Sequence, residues 1–369
     1  MPRALLALLV GALLLSACAA DQPKLVRTAP FDVDEPEPDP EPDPEPEELE
    51  EPEEPEVEQP EDDRPRSHLT GEPIDEELLD QPQLLVKIEN SPQARPQAGL
   101  DDADIVYEEV VEGGVTRFVA IFHSQVPDVA GPIRSARPVT AQLMRGYGPS
   151  GFAYSGARQE VENLLAYTPS IRITEGGAGF FRDHGRAAPH NLYVETQATL
   201  DGAIARGAEP FTDVGWTFEE ERKSREDVPG RVRCPEGDAA CDDPGVAVDV
   251  RMSREFTSNW EYDADDRRYR RGQNGRTFRV TGEGQIGAAN VVVLDTRHYI
   301  GASGYPETDV VTEGADAVVL RDGRRYDARW SKPTADDPIE LFTVDGDPFP
   351  LAPGPTWVHL PDRLPAPDA

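Results

Sequence analysis

Residues 104–124 read DIVYEEVVEGGVTRFVAIFHS, and this stretch decides how the chain begins to fold. Two runs rich in β-branched and aromatic residues, Asp104 to Glu112 and Val115 to Ser124, flank the pair Gly113-Gly114. Two glycines between such runs are typical of a two-residue hairpin turn, because both turn positions require a positive φ. The stretch therefore predicts an antiparallel β-hairpin.

The hairpin places charges on an apolar surface. If the two glycines form the turn, Val110 faces Arg117 and Glu108 faces Val119 across the strands. One face then carries Glu108, Glu112 and Arg117 among aliphatic side chains, where charges are costly unless they are paired or used. This arrangement fits either a structural ion pair at the rim of the sheet or a functional site. A shift of the turn by one residue would move charges to the other face.

Strand-like and helix-like runs alternate on both sides of the hairpin. The predicted strands span 84–88, 151–155 and 170–174, and the predicted helices span 138–145, 158–167 and 197–206. Such alternation favours an α/β (or α+β) N-terminal domain with a mixed sheet, and we place it at residues 82–213.

The pattern changes after residue 213. Short strand-like runs follow one another at 246–252, 258–262, 290–296, 317–320, 325–330, 340–344 and 357–360. The pairs Asn274-Gly275, Asp322-Gly323 and Asp345-Gly346 are typical of hairpin turns. Residues 214–363 are therefore predicted to form a smaller all-β C-terminal domain.

The N-terminus has the pattern of a secretory signal peptide over residues 1–17, with Arg3 before a short apolar stretch. The residues that follow, Leu15-Ser16-Ala17-Cys18, resemble the bacterial lipobox, after which the cysteine is diacylated and the chain is cut before it. Two acyl chains such as palmitate suffice for stable anchoring. We therefore expect Cys18 to hold the protein on the extracytoplasmic face of the cell membrane, the alternatives being a plain cleaved signal or an uncleaved anchor.

Residues 18–66 are predicted to be a lipid-anchored, acidic, proline-rich linker. From residue 31 to 63 the chain has nineteen acidic residues, nine prolines and no basic residue. Like charges repel and proline removes amide donors, so this stretch favours an extended, solvated spacer. It accounts for more than half of the formal net charge of −35, and the rest of the chain is still acidic. A nucleic-acid partner is excluded on this ground, because phosphate neutralisation needs a basic surface.

Three cysteines are too few for a disulfide scaffold. With Cys18 acylated, Cys234 and Cys241 form the remaining pair, in a loop rich in Pro, Gly and Asp. In an oxidising compartment we expect a small structural disulfide between them.

An arginine-rich loop follows the hairpin at residues 131–138, GPIRSARP. Arg134, Ser135 and Arg137 precede a predicted helix, and Arg158 opens another helix after a Ser-Gly pair. Guanidinium groups, a hydroxyl and free amides are the ingredients of an anion site, so we assign Arg117, Arg134, Ser135, Arg137, Arg158 and Glu108 to ligand binding. The alternative is that these arginines neutralise neighbouring carboxylates.

A second polar loop spans residues 180–193, FFRDHGRAAPHNLY. It contains Asp183, His184, His190 and Asn191, and we add Asn191 to the ligand-binding set. His190 and Glu112 are the candidates for a catalytic acid or base. The spacing of His184, His190 and Asp183 matches no standard metal motif, and no nucleotide or hydrolase fingerprint is present, so no metal and no cofactor are expected.

Several of these motifs together are similar to one known family. The runs KIEN at 87–90, ADIVYE at 103–108, EGGVTRF at 112–118, GPIRSARP at 131–138 and APHNLY at 188–193 resemble the YerB-like lipoprotein family of unknown function. Weaker similarity continues through WEYD at 260–263 and PTWV at 355–358. The resemblance implies a two-domain lipoprotein of the bacterial cell envelope, and it implies no activity.

Two main hypotheses on function follow. The first is a non-enzymatic, membrane-anchored protein that binds an anionic wall or lipid-linked ligand through its arginines. The second is an extracytoplasmic hydrolase or glycan/phosphoryl transferase with His190 or Glu112 as base. A protein-interaction module is a third alternative. Convergence of Glu112, Arg117, Arg134, Arg137 and His190 at one place would favour the ligand hypotheses.

Overall fold

The hairpin of residues 104–124 lies inside a large sheet. The structure is a computed structural model that describes residues 62–212, 214–219, 231–232, 245–282, 284–302 and 304–366. Cys18, Cys234 and Cys241 and most of the acidic linker lie outside the described residues, so the predicted anchor and disulfide stay predictions.

Four α-helices occur among the described residues. They are α1 (Glu76–Leu79), α2 (Pro138–Arg145), α3 (Gln159–Leu165) and α4 (Thr196–Ile204). The last three confirm the predicted helices: α2 has the predicted bounds, and α3 and α4 differ from them by one or two residues at each end.

Most of the other elements are strands. In the first half these are β1 (Leu84–Glu89), β2 (Ile105–Val110), β3 (Thr116–Phe122), β4 (Val129–Ala130), β5 (Gly151–Ala153), β6 (Ile171–Ile173), β7 (Phe180–Arg182) and β8 (Leu192–Glu195). In the second half they are β9 (Thr217–Phe218), β10 (Arg231–Val232), β11 (Ala247–Arg251), β12 (Thr257–Asp263), β13 (Arg268–Gln273), β14 (Arg276–Thr277), β15 (Gly287–Ala288), β16 (Asn290–Leu294), β17 (Arg297–Ile300), β18 (Pro306–Asp309), β19 (Thr312–Arg321), β20 (Arg324–Lys332), β21 (Glu340–Thr343), β22 (Pro350–Leu351) and β23 (Thr356–Leu360).

The predicted register of the hairpin is wrong by one residue. In the structure Glu109 pairs with Arg117 and Val110 with Thr116. The turn uses three residues, Glu112–Gly114, rather than two, because Gly113 and Gly114 both adopt positive φ after Glu112 has already left the strand. Glu108 and Arg117 therefore lie on opposite faces of the sheet, as expected for a shift of one.

The large sheet is mixed. Its strand order is β10-β20-β19-β16-β23-β2-β3-β1-β5-β6, with β21 beside β20. Strand β1 is antiparallel to β3 and parallel to β5, and β2 is antiparallel to β3 and parallel to β23. Smaller sheets, the largest being β11 to β15, complete the second half. The predicted fold class is confirmed: a mixed sheet with few helices, followed by smaller β-sheets.

Strands from both halves of the chain build the large sheet. The last strand, β23, lies between β2 and β16 and is parallel to each of them. The predicted domain boundary at residues 213 and 214 stays a prediction, but backbone hydrogen bonds join the two regions across the middle of this sheet.

The two faces of the sheet bury separate cores. Leu85, Tyr107 and Val119 point to one face and pack with helices α2 and α3. Val86 and Phe118 point to the other face and pack with the sheet of β11 to β15. The central strands are buried on both faces and therefore read as near-continuous apolar runs. Within the described ranges, no helix combines the length and the hydropathy needed to cross a bilayer.

Candidate functional site

The arginine-rich loop is bound to the end of strand β1. The Glu89 amide donates to the Pro132 carbonyl oxygen at 2.9 Å, and the Arg134 amide donates to the Lys87 carbonyl oxygen at 2.8 Å. On its other side the Arg134 carbonyl accepts from the Ser155 amide at 3.1 Å, just beyond β5. The loop therefore lies at the carboxyl ends of two parallel strands, the edge where α/β sheets commonly place their sites.

Arg134 forms an ion pair at this edge with a residue that the sequence analysis missed. Its Nε lies 2.8 Å from Glu89 Oε2, and its Nη2 donates to Glu89 Oε1 at 2.8 Å. Ser91 Oγ donates to the same carboxylate at 2.6 Å. Burial alone would raise the pKa of Glu89, and the hydrogen bonds from Arg134, Ser91 and His190 outweigh it and hold that pKa below its usual range.

His190 is oriented by the same carboxylate. Its Nδ1 lies 3.0 Å from each carboxylate oxygen of Glu89. Arg134 Nη2 lies 3.1 Å from the same Nδ1. The carboxylate favours the tautomer in which Nδ1 carries the proton and Nε2 can accept one. The side chain of His190 is 22% exposed and that of Glu89 is 7% exposed, so the imidazole reaches solvent while its partner is sheltered.

Arg117, Ser135 and Arg137 lie next to this pair. Arg117 stands directly opposite Glu89 in the pairing of β1 with β3. The carbonyl oxygen of Ser135 accepts from Arg117 Nη1 at 2.8 Å and from Arg137 Nη1 at 3.3 Å. Arg137 Nε also donates to Glu112 Oε2 at 2.9 Å. Two guanidinium groups therefore share one backbone acceptor.

Arg117 differs from Arg134 and Arg137 in its partners. Among the described residues it forms no ion pair, and its hydrogen bond goes to a neutral carbonyl. Burial, followed by the like charge of Arg137, lowers the pKa of Arg117 to about 10. A guanidinium this short of negative charge is stabilised by any anion placed beside it.

A buried ion pair supports the site from beneath. Lys87 and Glu109 contact each other with neither side chain exposed. Burial lowers the pKa of Lys87 to about 8, although the charge of Glu109 opposes the change. A pair of this kind is costly to desolvate, and its two charges hold the ends of β1 and β2 in one arrangement.

The structure brings most of the predicted residues together. Hydrogen bonds join Glu89, Arg134 and His190 in one group and Arg117, Ser135, Arg137 and Glu112 in a second. The two groups adjoin where Arg134 precedes Ser135 and where Glu89 pairs with Arg117, and we call them together the arginine site. Glu89, Lys87 and Glu109 were not predicted as site residues, because each falls inside or at the end of an apolar strand. The alternation in Leu85-Val86-Lys87-Ile88-Glu89 was the signal that puts Lys87 and Glu89 on one face, which the structure shows to be the face of Arg117.

The side chains of three predicted ligand residues contact partners outside the arginine site. Arg158 pairs with Glu160 at 2.7 Å and lies over the ring of Tyr305. The Asn191 Oδ1 accepts from Arg182 Nη1 at 2.7 Å. Glu108 is fully buried on the opposite face of the sheet. Their side chains are engaged by other partners, so we do not include them in the arginine site.

Glu108 belongs to a buried polar cluster in the second core. Its carboxylate lies 3.0 Å from Arg271 Nη2 and 3.2 Å from His359 Nδ1, and it accepts from Ser258 and Thr116 at 2.9 and 2.7 Å. Burial would raise the pKa of Glu108, but the charge of Arg271 and the hydrogen bonds hold it well below its usual range. These five residues, the Glu108 cluster, join strands from both halves of the chain.

His184 and Asp183 stay at the surface of the second polar loop. The Asp183 carboxylate accepts from the Gly185 amide at 2.8 Å, which closes a local turn. Within the part of the chain that the structure describes, no three His, Cys, Asp or Glu side chains are placed to hold a metal ion.

Fold and site together define a mixed-sheet α/β protein with a cluster of arginines and carboxylates at its strand ends. Residues 69–209 match the N-terminal domain, and residues 248–358 the C-terminal domain, of a family described as "Protein of unknown function (DUF3048)". The two matches together cover more than half of the chain, and the chain belongs to this family.

A named relative and a solved structure agree with this assignment. The chain is 29% identical over 306 residues to "Putative lipoprotein YerB" of Bacillus subtilis (strain 168), covering 80% of this chain and 86% of that protein. The crystal structure of the YerB protein from Bacillus subtilis superposes with a TM-score of 0.67 at 25% identity, covering 82% of this chain and 98% of that one. The predicted resemblance to YerB-like proteins is confirmed.

Proposed function

We propose that this protein is anchored to the extracytoplasmic face of the cell membrane and binds an anionic envelope ligand at the arginine site. The ligand class is a wall polymer or a lipid-linked component that carries phosphate or carboxylate groups. The observation that carries the proposal is Arg117, whose guanidinium is largely buried beside two other guanidinium groups and has no carboxylate partner among the described residues.

The local charge balance supports an anionic ligand. Four cationic side chains meet three carboxylates here, namely Lys87, Arg117, Arg134 and Arg137 against Glu89, Glu109 and Glu112. This excess of one positive charge occurs in a chain whose formal net charge is −35. The side chains of Arg134 and Arg137 are 18% and 15% exposed, so solvent and ligand can reach them. Planar guanidinium groups suit the oxygens of phosphate and carboxylate.

Titration of the full chain with pyrophosphate and with purified anionic wall polymer tests the site. Binding to the folded state raises the melting temperature, and tryptophan fluorescence reports it independently. We expect Arg134→Ala to weaken binding at this site at least tenfold. Arg329→Ala is the matched control, because it also removes one guanidinium from an ion pair, with Asp316, but at an exposed position elsewhere.

The proposal is wrong if neither probe changes the melting temperature or fluorescence of the unaltered chain. It is equally wrong if Arg134→Ala and Arg329→Ala respond alike.

The lipid anchor has a separate test. The lipobox-like residues before Cys18 and the name of the Bacillus subtilis relative support it. Expressed in a bacterial host, the protein should incorporate an alkynyl fatty acid and fractionate with membranes, whereas Cys18→Ser should do neither. Equal membrane fractionation of the two chains would contradict anchoring at Cys18.

A second candidate function is hydrolysis or group transfer, and the contact between Glu89 and His190 favours it. A histidine oriented through Nδ1 by a carboxylate can accept a proton at Nε2, and the adjacent arginines can stabilise developing negative charge. Among the described residues the Nε2 of His190 has no hydrogen-bond partner, so it is available to a substrate or to water.

Turnover of 4-nitrophenyl phosphate and of a glycan diphosphate tests this second function. We expect His190→Gln to abolish turnover, because the replacement cannot accept a proton. His184→Gln is the control, since it alters an exposed histidine of the same loop. Absence of turnover in the unaltered chain would leave the protein as a binder. Equal turnover in the two variants would show that His190 is not the catalytic base.

A further inference from the structure

A second concave surface is lined by residues from both halves of the chain, none of which belongs to the arginine site. It is a groove of about 480 Å³ between the chain around Arg95 and the β13–β14 hairpin. The backbone joins its two sides, because the Thr281 amide donates to the Gln97 carbonyl oxygen at 2.7 Å. We call it the Arg95 groove, and its lining includes Arg95, Gln273, Arg276, Phe278 and Arg279.

The lining of the groove is cationic. Three of its residues are arginines, and none of the described lining residues is Asp or Glu. Within the described ranges, Arg95 and Arg276 form no ion pair, whereas Arg271 close by is paired with Glu108. Arginines without a carboxylate among the described lining residues are unusual in a strongly acidic chain, so they favour a ligand of opposite charge.

Arg95 is held in place by aromatic rings rather than by a carboxylate. Its guanidinium carbon lies 5.4 Å from the ring centre of Phe278 and 5.9 Å from that of Phe256. One terminal nitrogen donates to the Asn90 carbonyl oxygen at 3.1 Å, and the buried Nε has no partner in the described parts of the chain. Burial, followed by the like charge of Arg271, lowers the pKa of Arg95 to about 10, which an anion would offset.

Gln273 supplies an independent observation. The residue is 3% exposed, and its Oε1 accepts from Asn90 Nδ2 at 3.0 Å and from Arg271 Nη1 at 3.3 Å. These two donors determine which end of the amide is oxygen. The Nε2 group is therefore the other end, and it is buried without a hydrogen-bond partner among the described residues. An unused buried donor in the lining of a cationic groove points to a missing acceptor.

We propose that the Arg95 groove binds a phosphate group, with Arg95 and Arg276 on its oxygens and the Gln273 amide as a further donor. Guanidinium forks and an amide N–H suit the several acceptor oxygens of a phosphate ester. The phosphate is that of a lipid headgroup or of a soluble or polymeric phosphate ester, which offer the same chemistry. This site shares no residue with the arginine site.

Calorimetric titration of the full chain with pyrophosphate tests the groove. We expect Arg276→Ala to weaken one binding event at least tenfold, and Arg134→Ala to leave that event unchanged. Arg276 is exposed, so its removal should not affect folding. Arg254→Ala is the matched control, because it deletes an exposed arginine of the same region outside the groove.

Vesicles of phosphatidylglycerol identify the source of the phosphate. If the chain binds the vesicles, and both added pyrophosphate and Arg276→Ala weaken that binding, the phosphate is that of a lipid headgroup. If the chain binds pyrophosphate but not the vesicles, the phosphate is that of a soluble or polymeric ester. The proposal is overturned if no probe binds saturably, or if Arg276→Ala behaves like Arg254→Ala. If the unaltered chain shows only the binding event that Arg276→Ala weakens, and none that Arg134→Ala weakens, the arginine site is refuted and the groove is not.

Discussion

Adjacent residues on strand β13 have opposite roles. Arg271 is fully buried against Glu108, while Arg270 pairs with Asp263 and Asp266 at the surface. Arg271 also lies 4.0 Å from the ring centre of Phe278 and 4.8 Å from that of Trp357. Because successive side chains of a strand point to opposite faces, one arginine is structural and its neighbour is solvated.

Removing the buried arginine should therefore cost much more than removing the exposed one. Arg271→Met leaves the Glu108 carboxylate buried without its cation, which destabilises by about 3–5 kcal/mol. Arg270→Met removes a solvent-screened pair and should cost less than about 1 kcal/mol. Urea unfolding followed by tryptophan fluorescence measures both. Equal midpoints for the two variants would contradict a stabilising role of the Glu108 cluster.

The same cluster predicts a dependence of stability on pH. The pKa of Glu108 is held well below its ordinary value of 4.5 in the folded chain. At a pH between the pKa of Glu108 in the folded chain and its pKa in the unfolded chain, the unfolded chain binds a proton that the folded chain does not. The free energy of unfolding therefore falls as the pH is lowered. The contribution of Glu108 is complete above the unfolded pKa and is lost progressively below it.

Comparison with Glu108→Gln measures this contribution. The difference in unfolding free energy between the unaltered chain and Glu108→Gln should be constant near neutral pH and shrink below about pH 4.5. Glu313→Gln, an exposed substitution, should stay within about 0.5 kcal/mol of the unaltered chain throughout. A difference for Glu108→Gln that persists unchanged to pH 3 would contradict the assignment.

At the scale of elements, two turns hold the arginine site. The Glu112–Gly114 turn brings Glu112 to Arg137, and Gly131 opens the arginine-rich loop with a φ of 147°. A Cβ atom on Gly131 would lie 2.7 Å from the Tyr193 ring and 3.1 Å from the Leu192 carbonyl oxygen, whereas a Cβ on Gly113 would meet nothing within 4 Å. A substitution at Gly113 therefore tests backbone strain alone, whereas one at Gly131 tests backbone strain together with steric overlap.

We expect Gly113→Ala to lower the free energy of unfolding by about 1–2 kcal/mol, because alanine there must adopt a left-handed backbone conformation but meets no other atom. Gly131→Ala should cost more, and it should also weaken pyrophosphate binding at the arginine site, because the loop must move away from Tyr193. Melting temperature and titration calorimetry check the two effects. If the two variants have the same melting temperature and the same affinity for pyrophosphate, the contact of Gly131 with Tyr193 does not position the arginine-rich loop.

At the scale of the whole molecule, the last strand closes the large sheet. Strand β23 lies between β2 and β16, and it contributes Trp357 to the second core and His359 to the Glu108 cluster. Its removal would expose the edges of two buried strands, which are templates for aggregation. The first half of the chain thus depends on residues near its end for a complete core.

Deletion of residues 355–369 should therefore abolish cooperative unfolding of the whole described region. A chain ending at Ala366 is the control, because it keeps β23 and every contact of the described residues. Urea unfolding and one-dimensional proton spectra distinguish the two chains. A cooperative transition in the shorter chain would show that the first half folds without β23.

The sequence by itself determined the fold class, most helices and strands, and the family. Local signals suffice for these, because apolar periodicity, glycine pairs and proline positions act within a few residues. The three-residue turn shows the limit, since Gly113-Gly114 is compatible with two registers, and a shift of one residue moves Glu108 to the other core.

The tertiary structure alone decided which charges meet. Glu89 joins Arg134 and His190 from positions 45 and 101 residues away, and Glu108 joins Arg271 across 163 residues. No local pattern encodes such pairings, because they depend on strand order and on the insertion of the last strand into the middle of the sheet. The arginine-rich loop was visible in the sequence, but the carboxylates that orient it became visible only when the strands were placed side by side.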